Sequence, residues 1–311
     1  MNLNIKFLFI LFLITTTSFT AGCSIENKTN KTFTIEKART KTIDHIHGIG
    51  YSGDGDSLII ASPKGIKIFT EGHWLETNQY FHDYMGFQTT KDGFYASGHP
   101  EEGSSLRNPL GLVKSTDLGK SLQTLAFYGE SDLHFIATSF YDKTIYILNE
   151  EPNSKLNTGV YYTENDGRYW KKCEFNGFNS NTFGMMAVHP SIGSTVAIAT
   201  KNGIYFSIDN GNTFKQLFDS TMVTAIAFSE TKLYFSTVEN NKIYLKSYDL
   251  KTKKIDDISI PSLNDENPIT YIAVNVSNPE QIAFSTYNHD VYETNDFKKN
   301  WNKLIENGRL K

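Results

Sequence analysis

Cysteine is nearly absent: the 311 residues contain only Cys23 and Cys173. With one of them used at the N-terminus no intramolecular disulfide can form, and a CxxC redox or zinc site is excluded, so stability has to come from core burial. Arginine is equally scarce, with Arg39, Arg107, Arg168 and Arg309 making up the full set. The formal net charge is −4, and no basic cluster follows the first thirty residues. Nucleic-acid binding and a polybasic membrane patch are therefore not indicated. No apolar run is long enough to span a bilayer; the longest, Phe7 to Ile14, falls well short. The 3.6-residue period of an amphipathic helix is also missing. From Asp44 onward, short apolar segments alternate with clusters of Gly, Asn, Asp and Ser, which is an all-β pattern.

The N-terminus has a different character. Met1 to Lys6, the apolar run and the small residues up to Gly22 have the layout of a secretory signal peptide over residues 1–22. Ala21-Gly22-Cys23 resembles a bacterial lipobox, although Thr20 stands where that pattern prefers Leu. The resemblance implies lipidation of Cys23, a polar tether over 23–31, and an extracytoplasmic protein attached to the bacterial cell membrane through this lipid alone. Residues 32–311 are expected to form one domain, a monomer.

Six segments of that domain superpose: His47-Gly-Ile-Gly-Tyr51, Asp83-Tyr-Met-Gly-Phe87, His134-Phe-Ile-Ala-Thr138, Gly184-Met-Met-Ala-Val188, Thr224-Ala-Ile-Ala-Phe228 and Thr270-Tyr-Ile-Ala-Val274. The third position is apolar and the fourth is Gly or Ala, as the crowded inner strand of a propeller blade requires. A second strand follows each segment, and the repeat length of roughly 40 to 50 residues matches a blade. The expected fold is a single β-propeller of about six blades. Thr32 to Lys37 is expected to supply a strand completing the last blade, because joining the termini removes an exposed sheet edge.

The turns carry a family resemblance. Ser207-Ile-Asp-Asn-Gly-Asn-Thr-Phe214 matches the Asp-box pattern S-x-D-x-G-x-T-W with Phe for Trp, and Ser115 to Leu122 is a second close copy. Thr163 to Trp170, with Asn165 for Asp, and Thr294 to Trp301, with Lys298 for Gly, are weaker ones. Remnants lie near Thr70 to Trp74 and Ser247 to Lys253. The carboxylate can accept turn N–H bonds, Gly permits positive φ, and the aromatic residue plugs the turn from below. The chain thus resembles the Asp-box (BNR) repeat propellers, which include sialidases, sortilin-like domains, photosystem assembly propellers and bacterial lipoproteins labelled glycosyl hydrolase-like. Their activities differ, so the resemblance implies a fold and not a reaction.

Sialidases of this architecture grip substrate with three arginines. Here Arg168 lies in an Asp-box turn, Arg39 precedes the first blade and Arg309 is near the C-terminus, so sialidase activity is not expected. Other Asp-box glycosidases use two carboxylates across a cleft; Asp83 and Asp132 are the catalytic candidates, whereas Glu101 and Glu102 read as solvated loop residues.

Equivalent residues of successive blades converge on the propeller axis. Position one of the repeat then holds His47, Asp83 and His134 in three consecutive blades, with His45 and Asp132 two residues earlier and His99 ending the second strand of blade two. Imidazole and carboxylate suit a divalent metal such as Zn(II) or Cu(II), so His45, His47, Asp83, His99 and His134 are the candidate ligands. Met222, a thioether at an inner-strand start, is a candidate if the ion is copper. Met85 and Met186 occupy core positions. His73, His189 and His289 read as structural or solvated. The leading expectation is a binding protein that holds a metal ion or small polar ligand at the channel mouth. The alternatives are a glycosidase-like hydrolase using Asp83 or Asp132, and a scaffold that docks an envelope protein.

Overall fold

The computed structural model describes residues 32–219, 221–296 and 300–311. The expected signal peptide and tether, Cys23 and Lys298 lie outside the described residues. All strands fall in one compact unit, Phe33–Lys311. Among the described residues no helix is long and apolar enough to cross a membrane.

Among the described residues, twenty-six strands form six antiparallel sheets, the blades of a six-bladed β-propeller. Blade one contains β1 (Ile35–Lys37), β2 (Gly48–Tyr51), β3 (Leu58–Ser62), β4 (Gly65–Thr70) and β5 (His73–Thr77). Blade two is β6 (Asp83–Thr90), β7 (Gly93–His99), β8 (Leu112–Ser115) and β9 (Gln123–Ala126). Blade three is β10 (Ile136–Thr138), β11 (Ile145–Asn149), β12 (Gly159–Thr163) and β13 (Lys171–Lys172). Blade four is β14 (Met186–Val188), β15 (Val196–Thr200), β16 (Gly203–Ser207) and β17 (Lys215–Asp219). Blade five is β18 (Met222–Phe228), β19 (Lys232–Glu239), β20 (Lys242–Asp249) and β21 (Ile255–Ile258). Blade six is β22 (Ile269–Val274), β23 (Ile282–Thr286), β24 (Val291–Thr294), β25 (Asn302–Glu306) and β26 (Arg309–Leu310).

Six buried apolar clusters fill the six seams between neighbouring blades. Leu58, Ile60, Ala283 and Ile305 share the cluster that joins blade one to blade six, so the ring is closed. Full burial of a leucine or isoleucine side chain there contributes about 1.5–3 kcal/mol.

Closure differs from expectation. The N-terminal strand exists, but β1 pairs with β5 at the outside of blade one, not with the last blade. There it covers the edge of the sheet that opens the ring. Every strand of blade six comes from the C-terminal segment, and the short stretch before β2 hydrogen-bonds to it through the backbone: the Ile43 N–H donates to Gly308 O at 2.7 Å, and the Leu310 N–H to Lys41 O at 3.0 Å.

The four turns that resemble the Asp box share one hydrogen bond among their described residues, from a Ser or Thr hydroxyl to the side chain two positions on. Ser207 Oγ donates to Asp209 Oδ1 at 2.7 Å and accepts the Gly211 N–H at 3.0 Å, while Asp209 Oδ1 also accepts the Thr213 N–H at 2.9 Å. Ser115 with Asp117, Thr163 with Asn165, and Thr294 with Asp296 repeat the hydroxyl-to-side-chain bond. Asn210 and Gly211 both have positive φ, at 61° and 73°, which is where the glycine is required. Phe214 is buried beneath its turn, and Trp301 packs on Phe284.

Candidate functional site

Pairing sets the level of each side chain along the axis. Thr89 lies opposite Phe94 as Tyr51 lies opposite Leu58, Thr138 opposite Ile145 and Val274 opposite Ile282. Phe87 therefore occupies the place of Ile49, and the repeat read from the sequence is displaced by two residues in blade two. Met85 takes the position assigned to Asp83. Asp83 moves one step outward, to the level of His45, Asp132, Met222 and Pro268, and pairs with His99. A two-residue slip keeps the same alternation of faces, so the apolar pattern cannot reveal it.

The corrected register still gathers the candidates along one arc. His45 and His47 flank Ile46 just before β2, and their ring centroids are 4.8 Å apart. His47 Nε2 lies 3.1 Å from Asp83 Oδ1, across the seam between blades one and two. Asp83 faces His99 on β7; His99 Nε2 is 3.2 Å from Asp132 Oδ2, and its Nδ1 is 2.6 Å from Asn108 Oδ1. Asp132 Oδ2 is also 3.5 Å from His134 Nε2, and His134 Nδ1 reaches Glu150 Oε2 at 3.7 Å. Imidazole and carboxylate thus alternate from blade one to blade three. At the other end His289, read from the sequence as structural or solvated, packs edge-on against His45 at 5.3 Å. Its turn between β23 and β24 opens at the same face, a placement that only the ring geometry reveals.

His82 and His189 have different roles. His82 is buried and its Nδ1 accepts the Glu101 N–H at 3.0 Å, which anchors the blade-two loop. His189 is buried, its Nδ1 accepting the Ser191 N–H. Met222 is exposed at the start of β18, whereas Met185 lines the recess shared by His45 and His289.

Asp83 is held below the ordinary carboxylate range, first by the adjacent His47 and against the opposing effect of burial, with His99 and His45 adding to it. His45 is lowered, first by burial and then by His47 and His289, so it is neutral at pH 7. The close pairs are imperfectly matched, however. His47 Nε2, Asp83 Oδ1 and Asp132 Oδ1 are buried without a hydrogen-bond partner, the first two facing each other at an angle unsuited to a bond.

Two recesses flank this arc. One, of about 360 Å³, is lined by Glu130, Asp132, His134, Asn149, Glu150 and Glu151. The other, of about 220 Å³, is lined by residues that include His45, Thr224, Thr270, Tyr271 and His289. A smaller recess, of about 70 Å³, is lined by residues that include His47, His134, Met185 and Tyr271. The donors suit a late divalent metal chemically. Among the described residues, however, no three His, Cys, Asp or Glu side chains form a group that could hold a metal ion. The five proposed ligands are strung along the rim rather than turned toward one point.

No family model matches the chain, and no curated protein matches it. Solved structures do. The GH74 enzyme of Niastella koreensis is 14% identical over 88% of this chain and 47% of its own, with a TM-score of 0.54. The GH74 xyloglucanase of Xanthomonas campestris is 13% identical over 88% of this chain and 47% of its own, with a TM-score of 0.53. YCF48 from Cyanidioschyzon merolae is 12% identical over 89% of both chains, with a TM-score of 0.50. This chain spans about half the length of the GH74 enzymes it matches. At these identities the likeness shows the propeller alone and does not place the chain in the Asp-box family.

Proposed function

We propose that the chain is an extracytoplasmic, lipid-anchored binding propeller whose channel mouth takes a small polar ligand bearing positive charge. The observation that carries this reading is Asp132 Oδ1, buried without a hydrogen-bond partner in a recess lined by four carboxylates; farther along the arc His47 Nε2 and Asp83 Oδ1 lie 3.1 Å apart without hydrogen-bond geometry. Each buried polar atom without a partner costs about 1–3 kcal/mol, and a ligand that donates hydrogen bonds recovers that cost. Glu130, Asp132, Glu150 and Glu151 line the recess, and this concentration of carboxylates favours a cation. The shared turn geometry supports grouping the chain with the Asp-box propellers, whose signal-peptide-bearing lipoproteins fit the N-terminal sequence.

Calorimetric titration of the protein with amine-bearing small molecules, and separately with Zn(II), Cu(II) and Cu(I), tests this. Binding of an organic cation is expected at one site, weakened roughly tenfold or more by Asp132→Asn, since hydrogen bonds to charged groups contribute about 1.5–3 kcal/mol. Stoichiometric metal binding lost in a His47→Ala/His134→Ala variant would replace the organic ligand by an ion. Binding of neither class would sink the mouth as a ligand site.

A further inference from the structure

The described chain begins at the mouth face. β1 runs antiparallel to β5, so Phe33 and Thr34 lie beside the end of β5 and the connection that leads inward to β6. The Thr34 N–H donates to Asn78 Oδ1 at 3.0 Å, and the Asn78 N–H to Thr34 O at 3.1 Å. Phe33 stacks on Tyr80 with centroids 6.0 Å apart. The more exposed Tyr141, Tyr169 and Tyr287 stand singly in blades three and six, whereas Tyr80 and Phe81, each 39% exposed, adjoin one another.

These side chains are held outward at a cost. Tyr80 has φ of 61°, a left-handed conformation that costs a non-glycine residue of order 1 kcal/mol or more. The surroundings enforce it: the Phe81 N–H donates to Glu101 Oε2 at 2.9 Å, and Phe81 lies over Gly65, where an added Cβ would come within 3.3 Å of its Cα. The patch runs from the start of β1 past the end of β5 to the β3–β4 turn of blade one.

Its occupant follows from where the chain leads. The nine residues 23–31 extend at most roughly 30 Å, so a lipid on Cys23 keeps this rim within reach of the bilayer. Tyrosine, with an apolar ring and a polar hydroxyl, settles at a membrane–water interface, and beside Tyr80 the rings of Phe33 and Phe81 add apolar surface that burial in the headgroup region removes from water. We propose that Phe33, Tyr80 and Phe81 form a membrane-contact rim that rests in the headgroup region of the bilayer and orients the propeller beside it. This rests on the lipid anchor of the proposed function and is independent of the ligand at the mouth.

The test uses the full-length protein in phosphatidylethanolamine–phosphatidylglycerol vesicles. Cys173 is buried beneath the Gly211 turn with its thiol pushed up to about 12 by burial, and a lipidated Cys23 has no free thiol. A polarity-sensitive fluorophore therefore reports one site when placed on Phe81→Cys, or on Ile208→Cys in an Asp-box turn of the opposite face. Lipid-borne spin labels are expected to quench the probe at 81 several-fold more than the probe at 208, with the difference lost in Phe33→Ser/Tyr80→Ser. Equal quenching at the two positions on vesicle-bound protein would overturn the rim while leaving the anchor intact. Protein that stays in solution, with a Cys23 thiol that labels, would overturn the anchor and the rim together.

Discussion

Replacing Lys67 by Met should destabilise the domain more than any surface substitution, because Lys67 and Glu76 form an ion pair sealed inside blade one. Lys67 Nζ lies 2.6 Å from Glu76 Oε2, and only 3% and 8% of the two side chains is exposed. Glu76 Oε1 accepts the Arg39 N–H at 2.9 Å, from the segment that β1 holds against β5. Burial alone would raise the Glu76 carboxyl, but Lys67, the Arg39 N–H and Thr40 outweigh it and hold the group below its usual range. Removing the ammonium strands a buried carboxylate, at a cost of about 3–5 kcal/mol. In a domain of this size that lowers Tm by about 10 °C. Urea unfolding at pH 7, followed by tryptophan fluorescence, reads the loss directly. A Lys67→Met/Glu76→Leu variant removes both charges and should recover most of it. The pH dependence reverses as well: wild type loses the contribution of Glu76 as pH falls through its lowered folded value, whereas the single variant gains relative stability in acid as Glu76 protonates. A cost below about 1 kcal/mol for Lys67→Met, or a double variant no better than the single one, would refute the reasoning.

Glu293 carries the opposite sign. It is buried in the seam between blades six and one and accepts bonds from Tyr51 Oη at 2.9 Å and Gln281 Nε2 at 3.0 Å; burial raises its carboxyl. Stability should therefore fall as pH rises from the unfolded carboxylate range through the folded value, and thermal melts should show Glu293→Gln more stable than wild type at pH 8 but not at pH 4. His82 is lowered by burial, so its contribution is present at neutral pH and lost as pH falls below the unfolded histidine value; His82→Gln should flatten the stability profile below about pH 6.5. In the fourth blade Asp209→Ala removes the acceptor of Ser207 Oγ and the Thr213 N–H, and equilibrium unfolding should register a loss of about 1–2 kcal/mol.

Much of this architecture is legible in the sequence because it is local. Apolar segments too short for helices, the recurrent small residue exemplified by Gly50, and turns built from side chains two to six residues apart all follow from neighbouring chemistry. An alanine at Gly50 would place Cβ 2.2 Å from Thr89 Oγ1, so packing between neighbouring blades leaves its mark directly on composition. The clustering of His45, His47, Asp83, His99, Asp132 and His134 at one face follows from repeat position alone.

Other features belong to the tertiary structure, each for a physical reason. Alternation has a period of two, so the displaced register of blade two is invisible until pairing to β7 and the Ser115 turn fixes it. β1 can hydrogen-bond to any exposed edge, and the docking of Ala38 and Arg39 over the Lys67–Glu76 pair gives it blade one instead of the last. His289 meets His45 only because the ring closes and brings residues more than two hundred positions apart into contact. The sequence by itself determined a six-bladed propeller and the face on which its titratable residues gather. Which donors face one another and which are left without partners was decided by the angles at which the blades meet, because hydrogen-bond geometry depends on orientations that no sequence spacing encodes.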